Sequence, residues 1–414
     1  MKATAICILL FALQLFLTLK GVEHWGKFVN PFLLFISFIA LFIYYFKSIL
    51  KTPSTLRPSI LFSFLWFVIG MAVIVVCFPL FNQLFHQFNH PVDISDVLPQ
   101  LEFQFDAFQQ GDLPYQKINL PHSKPFPVYM PFHWLPLALT KSLGIDARWS
   151  GLILLAVAGG LYVSLVIKQE GNIFANWVLL LMPTTVLFAF LYWDRQSIAV
   201  SLETTIAAYY WILAIGLFSR NFALTSLGIL LCLLSRYTII FWLPLFFLLL
   251  FWKEGRKKPI ELGFIILISL CVFYIVPFLL REPSIFLTGL AYHNGAAEYE
   301  WEYGAWSFET GIYFAPHINA LTTGSFAHKV LIARIFQATT LLLIFLGSSW
   351  FFRVQKNKIN HYDFALGILY LTIVCFYMIG PLTYRYYMIT PLFLSTVLCA
   401  RIINVSKNKG SVQD

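Results

Sequence analysis

The sequence predicts an all-α polytopic membrane protein with about 12 transmembrane helices, and three observations carry that prediction. Residues are 59% hydrophobic and only 11% charged, where a soluble domain carries roughly 25% charged residues. Apolar runs recur along the chain and approach the roughly 20 residues needed to cross a bilayer. Lysines and arginines gather in short connections between those runs, as the positive-inside rule expects. The net charge of +9 is therefore a loop property and does not point to nucleic acid as a partner. No soluble domain fits between the apolar runs, so 1–414 reads as a single integral membrane domain.

Taken in order, the spans fall near 3–21, 29–48, 58–84, 148–168, 172–192, 195–218, 222–235, 237–252, 259–280, 327–352, 361–380 and 384–404. The first follows Lys2 and has no small-residue cleavage site after it, so it reads as a retained helix rather than a signal peptide. The run 222–252 is divided at Ser235-Arg236-Tyr237. Basic clusters at Lys47/Lys51/Arg57, Lys253–Lys258, Arg353–Lys358 and Lys407/Lys409 are set inside. Both termini are then cytoplasmic, and the two long loops, 85–147 and 281–326, are extracytoplasmic, which fits a cell-membrane protein. The second loop is acidic, with Glu282, Glu298, Glu300, Glu302 and Glu309 against Arg281. Pro131–Leu143 is apolar but only about 20 Å long as a helix, and it is read as lying at the outer interface. No internal repeat is evident. The six cysteines all lie in apolar runs with no CxxC or Cys/His pattern, which suits small packing residues.

The first long loop holds the polar stretch 89–129. Asp93 and Asp96 stand three apart. From Val97 to Gln109, Leu98, Leu101, Phe105 and Phe108 recur at helical spacing, with Glu102 and Asp106 on another face. That pattern suits an amphipathic helix lying flat on the membrane surface. Gly111 follows in the usual C′ position. Asp96 is positioned as its N-cap, which is among the favoured roles for aspartate. Capping and chemistry can coexist there. Asp93 alone reads as a solvated loop acid before it reads as a site residue.

The order of an Asp, an amphipathic helix, Gly111-x-x-Pro114-Tyr115 and a proline-rich lead into the next helix resembles the first outer loop of C-type glycosyltransferases. It is most similar to the branch of polyprenyl-phosphate-mannose-dependent α-mannosyltransferases. Close matching covers 89–136. Tyr129-Met130-Pro131 departs from the family's Tyr-Pro-Pro by Met130. Weaker echoes are Trp193-Asp194-Arg195-Gln196, Ser235-Arg236-Tyr237 and Tyr384-Arg385-Tyr386.

The resemblance implies transfer of a hexose from a polyprenyl-phosphate sugar to a glycan or lipid-linked acceptor outside the membrane, with inversion. It makes Asp96 the general base, with Asp93 as second candidate. No cofactor is expected, although a carboxylate pair could hold a divalent cation. The leaving phosphate needs cations, and the candidates are Arg236, Lys124, Arg195 and Arg385. Each has a plainer role. Arg236 interrupts apolar sequence, which marks a functional residue at membrane depth, but it could pair with Glu203. Arg195 could pair with Asp194, Arg385 could sit in an interfacial aromatic belt, and Lys124 could be a solvated charge. Sugar-binding candidates are Tyr115 and Tyr129 in the first loop, and His293 and Trp306 in the second. Two other classes stay open: a transporter or flippase of lipid-linked sugar, and a polysaccharide polymerase or ligase.

Overall fold

The computed structural model describes residues 2–50, 76–89, 95–120, 124–167, 173–304 and 308–407, and among these residues the regular structure is all helical. Helix α1 (Lys2–Leu19) is followed by α2 (Gly21–Ile49), which is broken near its start at Gly26, where φ is 70°. The described end of the span expected at 58–84 is α3, 76–87; the rest of that span, with Lys51 and Arg57, lies outside the described residues. Then come α4 (Val97–Gln109), α5 (Pro131–Trp134) and α6 (Leu137–Ser142). The last two are single turns, far too short to cross a bilayer. Helices α7 (Trp149–Ile167) and α8 (Ile173–Trp193) form the next pair.

The span expected at 195–218 is broken into α9 (Arg195–Ala199) and α10 (Glu203–Ser219). Glu203 therefore opens a helix instead of interrupting one. Beyond it, α11 (Phe222–Leu233) and α12 (Leu243–Glu254) are joined by a tight helical turn, Tyr237–Phe241. Helix α13 (Lys257–Leu270) continues as a π-helix through Cys271–Leu279. Pro277, which has no N–H to give an α-helical ladder, lies in that wider part. The second long loop is itself largely helical, containing α14 (Ile285–Tyr303) and α15 (Ala315–Leu321). Helices α16 (Phe326–Gln355), α17 (His361–Ile379) and α18 (Ile389–Lys407) complete the chain.

Among the described residues, seven helices are long and apolar enough to cross a membrane: α1, α2, α8, α13 with its π extension, α16, α17 and α18. Helices α7 and α11 are apolar but shorter. The surface agrees with a membrane protein. Helix α13 exposes Phe264, Leu267 and Ile268, and α16 exposes Leu342, Leu343 and Leu346. A soluble monomer rarely leaves contiguous apolar patches of this kind in water. By contrast α10 and α17 are buried along nearly their whole length. Glycine sets the closest helix approach: a Cβ on Gly228 of α11 would fall 2.5 Å from Cα of Leu213 on α10.

Polar contacts define two ends of the bundle. At one, Asp363 of α17 pairs with Arg220 at 2.8 Å and Arg401 at 2.6 Å, and His361 meets Glu254 at 2.7 Å. The basic stretches around Lys253–Lys258 and Arg353–Lys358 adjoin this end. The other end gathers both long loops. There Asn30 bonds the Gly311 carbonyl at 2.7 Å, and Phe314 N–H bonds the Met378 carbonyl at 3.0 Å. Buried Arg148 donates to the carbonyls of Phe85, Phe88 and Ala199 and pairs with Asp146 at 2.6 Å, pinning the end of α3 to α9 just before the polar stretch begins.

A candidate functional site at the loop end of the bundle

A cavity of about 390 Å³ opens at the end where both long loops gather. It falls within the roughly 300–1,000 Å³ of ordinary ligand pockets. Segments far apart in sequence build it: the start of α4, residues 128–130 ahead of α5, the 235–241 turn, α14 with α16, and the end of α17 with its link to α18.

Helix α4 positions the first acid. Its far end closes in a Schellman arrangement, with Asp112 N–H on the Ala107 carbonyl at 2.9 Å and Gly111 N–H on Phe108 at 3.1 Å. Gly111 takes a φ of 80° to do so. Apolar residues Leu98, Leu101 and Phe105 are buried toward the bundle, as the spacing predicts. At the near end Asp96 occupies the cap position, but its side chain caps nothing; Ser95 Oγ accepts from Val97 N–H at 3.3 Å. The carboxyl of Asp96 lines the cavity instead. Burial raises its pKa, partly offset by its own backbone amide and by the Gln100 side chain.

The lead into α5 is clamped to the same place. Gln104 Nε2 and Tyr115 Oη both donate to the Tyr129 carbonyl, at 3.1 and 3.2 Å. Phe132 N–H bonds the Leu234 carbonyl at 2.7 Å, and Tyr209 Oη bonds the Phe132 carbonyl at 3.0 Å. These bonds bring Tyr129 and the Ser235–Arg236 turn to one opening. Tyr129 lines the cavity. Tyr115 is buried behind it, against Tyr274 and Phe278, and acts as a prop.

Arg236 reaches the cavity and is paired with Glu203 at 2.7 Å. It also donates to Tyr377 Oη at 3.1 Å and stacks over the Tyr387 ring. The ion-pair alternative and the cavity position thus hold together. His293 lines the cavity too. Burial pushes its pKa down to about 4, and the charges of Arg334 and Arg236 act in the same direction. At neutral pH it is an uncharged hydrogen-bonding ring.

The other expected cations lie elsewhere. Lys124 is exposed and off the cavity. Arg195 is exposed and donates to the Leu191 carbonyl at 3.0 Å. Arg385 does not line the cavity and approaches Asp194 at 3.6 Å. Asp194 therefore spends its charge on Arg385 rather than on adjacent Arg195. Asp93 and Trp306 fall outside the described residues. Among the described residues, no group of three or more His, Cys, Asp or Glu is arranged to hold a metal ion.

Three cavity residues had no clear sequence signal. Glu300, one of five acids in the second loop, points into the cavity and accepts from the Tyr384 hydroxyl. Burial pushes its pKa up to about 7, the Tyr384 bond opposes this, and the Asp96 charge adds to it. Tyr292 lies close by, and burial followed by the charges of Asp96 and Glu300 pushes its pKa up to about 12. Arg334 reaches in from α16. Of the three it alone carries some signal in the sequence, as a charge within an apolar helix. Helix α14 is seated for this by Trp301, whose Nε1 bonds the Pro381 carbonyl at 2.7 Å.

The cavity thus brings together two acids, Asp96 and Glu300, and two guanidiniums, Arg236 and Arg334. No family model matches the chain, and no curated protein or solved structure matches it either.

Proposed function

We propose that this chain is a glycosyltransferase that moves a mannose-like hexose from a polyprenyl-phosphate sugar to a glycan or lipid-linked acceptor, with inversion. The observation that carries this reading is one cavity lined both by Asp96 and by guanidinium groups, those of Arg236 and Arg334. Inverting transfer needs both kinds of group in one site. A base takes the acceptor's hydroxyl proton while the oxygen attacks the anomeric carbon from the face opposite the phosphate. The C–O bond to the phosphate breaks, and cations stabilise the charge it carries away. Asp96 is the base in this scheme. Its raised affinity for a proton suits the task, since a stronger carboxylate base abstracts more readily.

The reading includes a topology of about twelve spans with both termini cytoplasmic and the cavity on the outer face of the cell membrane. Its support is the gathering of basic residues at the end of the bundle opposite the cavity.

The test uses the purified full chain in nanodiscs, a polyprenyl-phosphate mannose labelled in the sugar, and lipid-linked glycans as acceptors. Expected are a glycosylated product of opposite anomeric configuration to the donor, and loss of turnover in Asp96→Asn. Movement of intact donor across vesicles with no new glycosidic bond, undiminished in Asp96→Asn, would favour a transporter instead.

A further inference from the structure

We propose that Arg334, rather than Arg236, holds the anionic head group of a phosphorylated lipid in this cavity, and that the lipid chain leaves between α16 and the Tyr237–Phe241 turn. The proposal rests on the lipid-phosphate part of the function above and assigns its anchor and its exit.

Two guanidiniums line the cavity, and their circumstances differ. Arg236 has a carboxylate at 2.7 Å, a tyrosine hydroxyl at 3.1 Å and an aromatic ring beneath it. Its partner Glu203 is 1% exposed and stands at the first residue of α10, so it cannot swing away without opening the bundle. That pair is close to neutral as seen by a ligand. Drawing Arg236 onto a phosphate would strand a buried carboxylate, which is strongly unfavourable. The pair is better suited to shaping the wall.

Arg334 is far less compensated: the Glu298 charge acts on it only from beyond contact. Its Nη2 donates to the Asn294 carbonyl at 3.3 Å, a weak bond that leaves the rest of the guanidinium fork available. Among the described residues no carboxylate lies at ion-pairing distance from it. It sits half-buried in an apolar helix, where a charge is retained for a ligand or a partner. Gln337, one turn further on, and His293 from α14 line the cavity beside it and supply neutral hydrogen-bonding groups.

The exit follows from what lines the cavity on this side. Tyr237, Phe241 and Ala338 face the cavity and are also exposed on the outside of the bundle. Tyr237 is 40% and Phe241 42% exposed. Helix α16 runs along this flank with its large apolar residues outward. These residues place a side opening on the apolar flank of α16, one turn along that helix from Arg334. A soluble sugar phosphate would have no use for such a side opening, whereas an amphiphile needs one.

The experiment measures binding of dodecyl phosphate and of inorganic phosphate to the full chain in nanodiscs, with thermal midpoints on the same preparations. Arg334→Ala should weaken dodecyl phosphate roughly ten- to a hundredfold, the worth of a charge-assisted hydrogen bond, with little change in midpoint. Arg334→Lys should recover part of the loss. Arg236→Ala should lower the midpoint more than it lowers binding. Ala338→Trp should weaken dodecyl phosphate by narrowing the exit while sparing inorganic phosphate. Unchanged dodecyl phosphate binding in Arg334→Ala would overturn the anchor, and so would normal hexose transfer by that variant, without touching the glycosyl-transfer reading. Inorganic phosphate binding as tightly as dodecyl phosphate would overturn the lipid exit. Dodecyl phosphate binding lost in Arg334→Ala, in a wild type that transfers no hexose, would support the anchor and sink glycosyl transfer alone.

Discussion

Glu300→Gln should make the protein's stability less sensitive to pH, because the wild-type carboxyl is folded into a place that disfavours its charge. The side chain sits in the cavity wall, bonded to Tyr384, with Asp96 and Tyr292 as its acidic neighbours. Its pKa is pushed from 4.5 to about 7. At 1.36 kcal/mol per pH unit, that amounts to about 3 kcal/mol held against the ionised form in the folded state. The sign follows from linkage: a carboxyl with a raised folded-state pKa binds its proton more tightly folded than unfolded. No penalty is felt below pH 4.5; stability then falls as pH rises toward 7 and levels off above it. For a chain of this length about 3 kcal/mol corresponds to a shift of about 3–4 °C in thermal midpoint. Glutamine keeps the shape and cannot ionise, so the variant should gain on wild type by up to that amount at pH 8 and match it at pH 4. Difference infrared spectra supply a direct reading, since a protonated-carboxyl band titrating near pH 7 should vanish in Glu300→Gln. Wild type and variant with parallel midpoint curves from pH 4 to 8, and the same infrared band in both, would refute the reasoning.

Asp96→Asn should fold normally and lose roughly 10²–10⁴-fold in turnover, the usual worth of a general base; since the Asp96 side chain caps no helical amide, its thermal midpoint should stay near wild type, and near-normal turnover would remove Asp96 from the role. Cysteines introduced at Asn119 and Asn319 should react with an impermeant thiol reagent in intact cells and one at Lys257 should not; labelling confined to position 257 would invert the topology. Gly228→Ala should cost about 1–3 kcal/mol, because its Cβ meets the α10 backbone at 2.5 Å, and a thermal midpoint equal to wild type would show that the α10–α11 contact is looser than described. Asp363→Asn should cost about 3–5 kcal/mol by leaving Arg401, only 1% exposed, without its carboxylate at 2.6 Å; normal yield and midpoint in detergent would argue that Arg220 and Arg401 are compensated elsewhere.

Membrane class and most helix positions could be read from the chain, because crossing a bilayer imposes a local rule: about 20 apolar residues in a row with every backbone group bonded inside the segment. The amphipathic helix from Val97 to Gln109 and its stop at Gly111 were legible for the same reason, since periodicity and a left-handed glycine are properties of neighbours in sequence. The candidate site was legible only where it is local. Asp96, Tyr129, Arg236 and His293 converge on one cavity, while Lys124, Arg195, Arg385 and Tyr115 do not line it. Nothing in the residues around Arg385 says that Asp194 will meet it, and nothing around Glu300 separates it from Glu298 or Glu302. Asp96 looked like a cap because a cap depends on four consecutive residues, yet Ser95 provides the hydrogen bond and Asp96 turns to the cavity. By itself the sequence determined which segments are apolar enough for a membrane and which are not, because hydrophobic transfer acts residue by residue along a helix. Only the tertiary structure decided which charges are spent on each other and which remain for a ligand. A charge's worth depends on what lies within a few ångströms of it, and those neighbours come from other helices, 33 residues away for Glu203 and Arg236 and 141 for Arg236 and Tyr377.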